Sequence, residues 1–252
     1  MKQKLGQNFL IDKRIAKREV ESAEITQDDT VLEIGPGHGI LTKLLAKKAK
    51  KVIAIEIDES LFNNLRNCLP NNVELLHGDA LKIDFKTLPK FDKIVSNLPF
   101  QISSPITFKF LDHGFSLAVL IYQKEFANRM IAMPGSKDYS RLSVGIYFKT
   151  KCEVLELIPK ISFKPQPKID SSLIKLIPRD KPPFSVIDEK YFYELTKNLF
   201  NHRRKKIKNT LDKIFKETLK GIPYLDERVE NLKPEQIGEL SNILFKIHNC
   251  GK

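Results

Sequence analysis

Thr30-Val-Leu-Glu-Ile-Gly-Pro-Gly-His-Gly39 is the stretch of sequence that decides the fold. Its apolar first half predicts a buried β-strand, and its glycines permit the sharp turn that leads into a helix over residues 39–48. Further helices are predicted, one from about Glu59 and, with Ser104 as N-cap and Pro105 at the first position, one to about residue 112. Further strand-like runs lie at residues 51–57, 73–77, 91–96 and 117–123. This alternation predicts βαβ units and a mostly parallel sheet that is covered by helices on both faces.

The chain after residue 150 predicts the end of the sheet and then a different region. Strand-like runs at residues 152–158 and 171–177 flank a proline-rich stretch, and we expect them to close the sheet as a hairpin-like pair. Pro-Arg-Asp-Lys-Pro-Pro at residues 178–183 predicts a linker. From about Asp188 the pattern becomes helical. We therefore expect two domains, 1–180 and 181–252.

Composition narrows the class of protein. The 252 residues are 41% hydrophobic, and 43 basic against 31 acidic side chains give a net charge of +12. This excess favours a polyanionic partner, nucleic acid first and an anionic membrane second. No apolar run approaches the length of a membrane span, and the N-terminus lacks the pattern of a secretory signal. The cysteines are far apart and the five histidines lack metal-binding spacing, so we expect a soluble cytoplasmic protein without a metal centre.

Glycine-rich or acidic segments follow each of the first three predicted strands, residues 30–34, 51–57 and 73–77. The glycines at positions 35, 37 and 39 allow a ligand to approach the backbone. Glu56 ends the second strand, 21 residues after Gly35, where a carboxylate can accept hydrogen bonds from both hydroxyls of a ribose. Asp79 follows the third strand and could accept from an adenine amino group. Because NAD sites also combine a glycine loop with an acid, a dehydrogenase remains open at this point.

A fourth feature, Asn97-Leu-Pro-Phe100, follows the fourth strand and excludes the dehydrogenase. The side-chain oxygen of Asn97 and a carbonyl beside the fixed proline can accept two hydrogen bonds from an exocyclic amine. Such bonds would direct the nitrogen lone pair toward an electrophile. An aromatic ring at position 100 can stack on a flipped base.

Together these four features resemble the motifs of S-adenosylmethionine-dependent adenine-N6 methyltransferases that act on RNA. The chain is similar, more narrowly, to the ribosomal small-subunit RNA adenine dimethyltransferases, and we expect an archaeal member. The further segments that carry this likeness are Leu5–Leu10, Tyr139–Val144, Phe163–Pro167 with Asp170-Ser171, and Phe200–Lys206. At position 100 that group usually has tyrosine; phenylalanine is familiar in the related large-subunit enzymes.

The resemblance implies a Rossmann-like class I methyltransferase sheet flanked by helices, with a smaller C-terminal helical domain. Residues 1–180 would then bind S-adenosylmethionine and catalyse transfer, and residues 181–252 would bind RNA. The implied cofactor contacts are Asn8 and Leu10 at the methionine end, Gly35 and Gly37 beneath the cofactor, Glu56 at the ribose, Asp79 at the adenine, and Asn97. The implied catalytic residues, which hold the target adenine, are Asn97, Leu98, Pro99 and Phe100.

The implied reaction is the dimethylation of two adjacent adenines near the 3′ end of small-subunit ribosomal RNA, with a role in ribosome biogenesis. The implied partner is small-subunit ribosomal RNA within a pre-ribosomal 30S-type particle. We expect the protein to bind it as a monomer and not to bind a membrane. Arg203, Arg204, Lys205 and Lys206, on a predicted C-terminal helix, are the expected RNA contacts; a solvated helix face is the alternative interpretation of this run. Two alternative functions remain: an adenine N6-methyltransferase of large-subunit RNA, and a ribosome-assembly factor that binds RNA.

Overall fold

The computed structural model describes residues 7–212, 219 and 221–250. Leu5 and Gly6 of the N-terminal motif lie outside the described residues. The chain divides into two compact units, Met1–Ala127 with Lys151–Pro178 and Asn128–Thr150 with Arg179–Lys252. The assignment of cofactor binding to residues 1–180 and RNA binding to residues 181–252 stays a prediction.

The described residues form nine strands and nine helices. The strands are β1 (Phe9–Leu10), β2 (Thr30–Ile34), β3 (Lys51–Glu56), β4 (Val73–His77), β5 (Lys93–Asn97), β6 (Leu117–Gln123), β7 (Thr150–Ile158), β8 (Phe163–Lys164) and β9 (Ser171–Pro178). The helices are α1 (Lys13–Ser22), α2 (Ile40–Ala46), α3 (Glu59–Arg66), α4 (Ser103–His113), α5 (Lys124–Met130), α6 (Arg141–Lys149), α7 (Glu189–Asn201), α8 (Ile207–Leu211) and α9 (Pro234–Cys250).

The main sheet has the strand order β4-β3-β2-β5-β6-β9-β7. The first five strands of this order run parallel, and β9 runs antiparallel to β6. This confirms the predicted mostly parallel sheet. Chain order reverses between β2 and β5, because β3 and β4 lie on one side of β2 and β5 and β6 on the other. A crevice at the carboxyl ends of the strands is expected at such a reversal.

The core of the first unit lies between the sheet and its helices. Its buried members include Val31, Val52, Val95 and Val119 of the strands and Ile15, Ala16, Leu41 and Leu45 of α1 and α2. The β-branched residues suit a strand that is covered on both faces. The strands therefore form a rigid support for the loops at their carboxyl ends.

The predicted start of α4, with Ser104 as N-cap and Pro105 as first helical residue, is wrong by two residues, and no side chain caps the helix, whose N-cap is Ile102. A 3₁₀ turn, Phe100–Ile102, leads directly into the helix at Ser103. The Ser103 hydroxyl donates to the Phe100 carbonyl oxygen at 3.0 Å. Pro105 then occupies the third helical position, where its missing N–H removes no intrahelical bond.

The second unit is helical around its own core, in which Phe148, Phe192 and Leu240 are buried. The prediction that the basic run lies on a helix is wrong. Helix α7 ends at Asn201, and His202–Lys206 form a turn. Two backbone bonds define this turn, from His202 N to Leu199 O at 3.0 Å and from Lys205 N to His202 O at 2.8 Å.

Candidate active site

The carboxyl ends of β2, β3, β4 and β5 border a cavity of about 290 Å³. Its lining includes the following residues predicted from the sequence: Asn8, Gly35, Gly37, Glu56, Asp79, Asn97, Leu98, Pro99 and Phe100. Leu10 is the exception, since it is buried in the core and lines a smaller neighbouring cavity of about 30 Å³ with Glu33 and Asn97. The structure therefore brings four separate sequence motifs together at one edge of the sheet.

The glycine loop packs against two other walls of this cavity. Gly35 and Gly37 adopt positive φ angles of 70° and 57°. A Cβ atom at Gly37 would lie 2.9 Å from the Phe9 ring, and one at Gly35 would lie 3.1 Å from Pro99 Cγ. Both the backbone conformation and the close approach require glycine. The loop is thus fixed against the N-terminal segment and against the Asn97–Phe100 segment.

Glu56 is a buried carboxylate that is oriented by the backbone. Its Oε2 accepts from Gly37 N at 3.2 Å, and its Oε1 accepts from Asp58 N at 2.9 Å. Burial raises the pKa of Glu56, while the backbone N–H groups of Asp58 and Gly37 act to lower it. A carboxylate offers about four lone-pair sites. Glu56 can therefore accept further hydrogen bonds from a ligand in the cavity.

Asp79 lies in a loop that Lys109 holds in place. Asp79 Oδ1 accepts from Leu81 N at 2.9 Å. Lys109 Nζ, from α4, donates to the carbonyl oxygens of Ala80 at 2.8 Å, Leu81 at 3.1 Å and Ile83. Desolvation by burial lowers the pKa of Lys109. Sequence reasoning missed this positioning residue; the available signal was a lysine inside an otherwise apolar helical run.

Asn97, at the end of β5, carries a buried acceptor without a partner. Its Nδ2 donates to Asn8 O at 3.4 Å, whereas its Oδ1 accepts no hydrogen bond from any described residue. An unsatisfied buried polar atom costs about 1–3 kcal/mol. Beyond it, the Phe100 ring meets the Phe163 ring edge to face, with the centroids 6.3 Å apart. The cavity thus places a free amide oxygen near an aromatic surface.

Glu33, which lines the smaller cavity, and its neighbour Glu19 are two further buried carboxyl groups. Glu33 Oε2 and both side-chain oxygens of Glu19 lack a hydrogen-bond partner in the described part of the chain. Burial, with a contribution from Glu56, raises the pKa of Glu33 to about 8. Burial and the neighbouring Glu33 raise the pKa of Glu19 well above its usual range. Glu33 therefore offers an unused acceptor to the smaller cavity.

The four predicted RNA contacts of the basic turn divide into two pairs. Arg203 Nε bonds Glu230 Oε2 at 2.9 Å, and its Nη1 donates to Lys137 O at 2.8 Å. Lys206 Nζ lies 3.0 Å from Asp226 Oδ1. Arg204 and Lys205 are exposed and form no ion pair with another described residue. Within the described part of the chain, the second pair alone thus presents charge that no ion pair neutralises.

The described residues contain no group of three or more His, Cys, Asp or Glu side chains placed to hold a metal ion. None of the described helices is both long enough and apolar enough to cross a membrane.

A family model and curated relatives match nearly the whole chain. The model described as "Ribosomal RNA adenine dimethylase" matches residues 1–246. A protein of Methanosarcina acetivorans named "Probable ribosomal RNA small subunit methyltransferase A" is 45% identical over 253 residues, which cover 96% of this chain and 93% of that protein.

Two solved structures are similar in fold. A dimethyladenosine transferase from Plasmodium falciparum has a TM-score of 0.76 and 30% identity, with 96% of this chain and 98% of that chain covered. The 23S rRNA methyltransferase ErmE has a TM-score of 0.69 and 28% identity, with 93% and 98% covered. These likenesses confirm the predicted methyltransferase fold. The family model and the archaeal relative confirm the resemblance read from the motifs, and the chain belongs to the ribosomal RNA adenine dimethylase family.

Proposed function

We propose that this chain dimethylates N6 of two adjacent adenines near the 3′ end of small-subunit ribosomal RNA. Family membership and the methyltransferase relatives support an enzyme that methylates ribosomal RNA with S-adenosylmethionine as donor. The observation that carries the proposal is the buried, unpartnered Oδ1 of Asn97 in the main cavity. A buried acceptor of this kind is satisfied when a ligand amine donates to it.

The residues of the cavity fit S-adenosylmethionine. The remaining lone pairs of Glu56 would accept from the ribose hydroxyls, and Asp79 would accept from the adenine amino group. Asn8, the Leu10 backbone and Asn97 would hold the methionine end, and Gly35 and Gly37 would leave space beneath the cofactor. When bound, this cofactor supplies the electrophilic methyl group.

The segment Asn97–Phe100 would hold the target adenine. In the first transfer, Asn97 Oδ1 and the Leu98 carbonyl oxygen would each accept one N–H of the amine, and in the second transfer one of them would accept the single N–H that remains. In both transfers this directs the lone pair of the nitrogen toward the methyl group. Pro99 fixes the backbone between them, and Phe100 would stack on the base. Alignment of this kind supplies a large part of the rate. The methylated nitrogen carries a positive charge and would release its proton to water, so the chain needs no dedicated base.

The finer partner assignments belong to the same proposal. The substrate would be ribosomal RNA within a pre-ribosomal 30S-type particle. The protein would bind this particle as a monomer in the cytoplasm, where the particle assembles. Arg204 and Lys205 would contact RNA phosphates, since their side chains are exposed and form no ion pair with another described residue. Within residues 181–252 they would form part of an RNA-binding domain, while residues 1–180 carry the cofactor and the chemistry.

A large-subunit substrate is the second candidate, because the fold also resembles that of the 23S rRNA methyltransferase ErmE. The name of the archaeal relative, which is more similar in sequence, favours the small subunit.

The test is to incubate the protein with labelled S-adenosylmethionine and undermethylated small ribosomal subunits, and then to map the modified bases. We expect two adjacent N6,N6-dimethyladenines near the 3′ end. Large subunits and fully methylated small subunits are the matched controls. Label confined to large-subunit RNA would favour the second candidate. Cofactor binding without transfer to either RNA would contradict the proposed enzyme and favour an assembly factor.

A further inference from the structure

The turn Lys160–Ser162 displays an apolar side chain to solvent. Ile161 is 74% exposed, and Ile11 beside this turn is 49% exposed. Burial of an isoleucine side chain is favourable because it removes apolar surface from water. An exposed pair of this kind therefore leaves stabilisation unused in the free protein.

Hydrogen bonds on three sides hold this turn in place. Ile11 N donates to Ser162 O at 2.9 Å, and Ser162 N donates to Pro159 O at 2.9 Å. Lys160 N donates to Asp170 Oδ1, also at 2.9 Å. Ile161 is thus presented by a fixed backbone that continues the β1–β8 pairing.

The turn adjoins the main cavity. Phe163, two residues after Ile161, packs its ring against Phe100, which lines the cavity. Phe9, in the strand paired with β8, lines the same cavity. Two residues of chain span at most about 7 Å. Ile161 therefore lies within about 7 Å, Cα to Cα, of Phe163, whose ring contacts a residue of the cavity wall.

The segment that carries Ile161 is basic, although the carboxylates of Glu156 and Asp170 border it and Asp170 accepts from Lys160 N. Lys160, Lys164 and Lys168 are exposed, and residues 157–169 contain no acidic side chain. Exposed lysines beside an apolar side chain are complementary to a nucleic acid strand, whose phosphates meet the lysines and whose bases meet the apolar group. Among possible occupants, this charge pattern favours RNA over a protein surface.

We propose that Ile161, supported by Ile11, is a wedge that fills the stacking space which the target adenine leaves when it enters the cavity. Lys160, Lys164 and Lys168 hold the phosphates on either side. This inference rests on the proposed function, because it needs an adenine that leaves a folded RNA. Unstacking a base costs a few kcal/mol, and an apolar side chain that replaces the lost contacts offsets a part of that cost.

The test compares Ile161→Ala with Ile177→Ala, a control at an exposed isoleucine of β9. Each variant is given undermethylated small subunits and two RNA hairpins with adjacent loop adenines. In one hairpin the loop is intact; in the other an abasic site beside the target has already broken the stack. We expect Ile161→Ala to lower kcat/KM about 10-fold on the subunits and the intact hairpin, and less than about 2-fold on the abasic hairpin. Ile161→Phe should restore most of the loss, and Ile177→Ala should have no effect.

A second readout does not depend on methyl transfer. With 2-aminopurine at the target position, the wild-type protein should raise the fluorescence on binding, and Ile161→Ala should raise it less at the same occupancy. Equal losses on both hairpins, or none on either, would overturn the wedge. A wild-type protein that methylates no ribosomal RNA would refute the proposed function, while the fluorescence comparison would still decide the wedge.

Discussion

The cavity at the strand ends and the basic turn after α7 differ in whether their polar side chains have partners among the described residues. In the cavity region, Asn97 and Glu33 keep buried acceptor oxygens that no described residue satisfies. In the turn, Arg203 and Lys206 form ion pairs with Glu230 and Asp226. Buried unsatisfied atoms reduce stability, so their presence points to a ligand. A run of charge, by contrast, can be part of the fold, and each cation needs to be judged by its own contacts.

The largest effect is expected at the free acceptor of the cavity. Replacing Asn97 by alanine removes the oxygen that would orient the target amine. We expect methyl transfer to fall about 10³-fold, which corresponds to about 4 kcal/mol in the activation free energy. Single-turnover transfer to undermethylated small subunits measures this loss.

The same variant should still bind S-adenosylmethionine, with Kd changed less than about 10-fold, because Glu56 and Asp79 remain. Asn63→Ala is the matched control, since Asn63 is exposed on α3. Normal turnover by Asn97→Ala would contradict the proposed role and weaken the contrast between the two regions.

The next largest effect concerns the oriented carboxylate of the cavity. Glu56→Ala removes the acceptor proposed for the ribose and leaves the N–H groups of Gly37 and Asp58 without their partner. Hydrogen bonds to a charged group contribute about 1.5–3 kcal/mol each. We expect the Kd for S-adenosylmethionine to rise about 100-fold, measured by calorimetry. Glu59→Ala, three residues further and exposed, should bind as the wild type does; an equal loss there would point to a general effect of charge.

Glu33 allows the cost of burying an ionised carboxylate to be measured in the protein without ligand, because burial is the main cause of its raised pKa. Its pKa is raised to about 8 in the folded state, from 4.5. The folded protein therefore keeps a proton that the unfolded chain loses, so the contribution of Glu33 to stability decreases as pH rises from about 4.5 through 8. Between pH 5 and 7 this loss is about 2.5 kcal/mol, since one pKa unit is worth about 1.4 kcal/mol.

Glu33→Gln should remove this dependence. Urea unfolding of the wild type and the variant across this pH range would then show a difference in unfolding free energy that grows with pH. Glu153→Gln, at an exposed carboxylate of β7, is the control. Parallel pH profiles for wild type and Glu33→Gln would show that Glu33 is ionised in the folded state and has a partner.

Local patterns predicted the parts of the fold that depend on local sequence. β2, β4 and β6 have the bounds that their apolar runs predict. The four motifs that follow β2, β3, β4 and β5 converge because parallel strands end at the same edge of the sheet. Pairing of β1 with β8 could not be predicted, because it joins segments more than 150 residues apart and neither is long enough to show a period. Lys109 donates hydrogen bonds to three carbonyl groups of a loop more than 20 residues earlier in the chain. Such contacts leave no periodic pattern in the sequence from which they could be predicted.

The smallest effect, and the sharpest test of the contrast, lies within the basic turn. Arg203→Ala should lower the unfolding free energy by about 1–2 kcal/mol, because Glu230 and the carbonyl group of Lys137 lose their donor. The double variant Arg204→Ala, Lys205→Ala should leave stability within about 0.5 kcal/mol of the wild type, since both side chains are exposed.

The salt dependence of RNA binding should change in the double variant and not in Arg203→Ala, which is the opposite of the expected effects on stability. If Arg204 and Lys205 each meet a phosphate, the slope of log K against log salt should fall by about 1.4–1.8 in the double variant, with affinity about 10-fold weaker near physiological salt. The slope should not change in Arg203→Ala, because its guanidinium group is already held by Glu230 and two carbonyl groups. Filter binding to undermethylated small subunits over a salt series measures both. Equal slopes in all three proteins would mean that the turn is structural throughout and that RNA contacts lie elsewhere, with the lysines around Ile161 as the next surface to test.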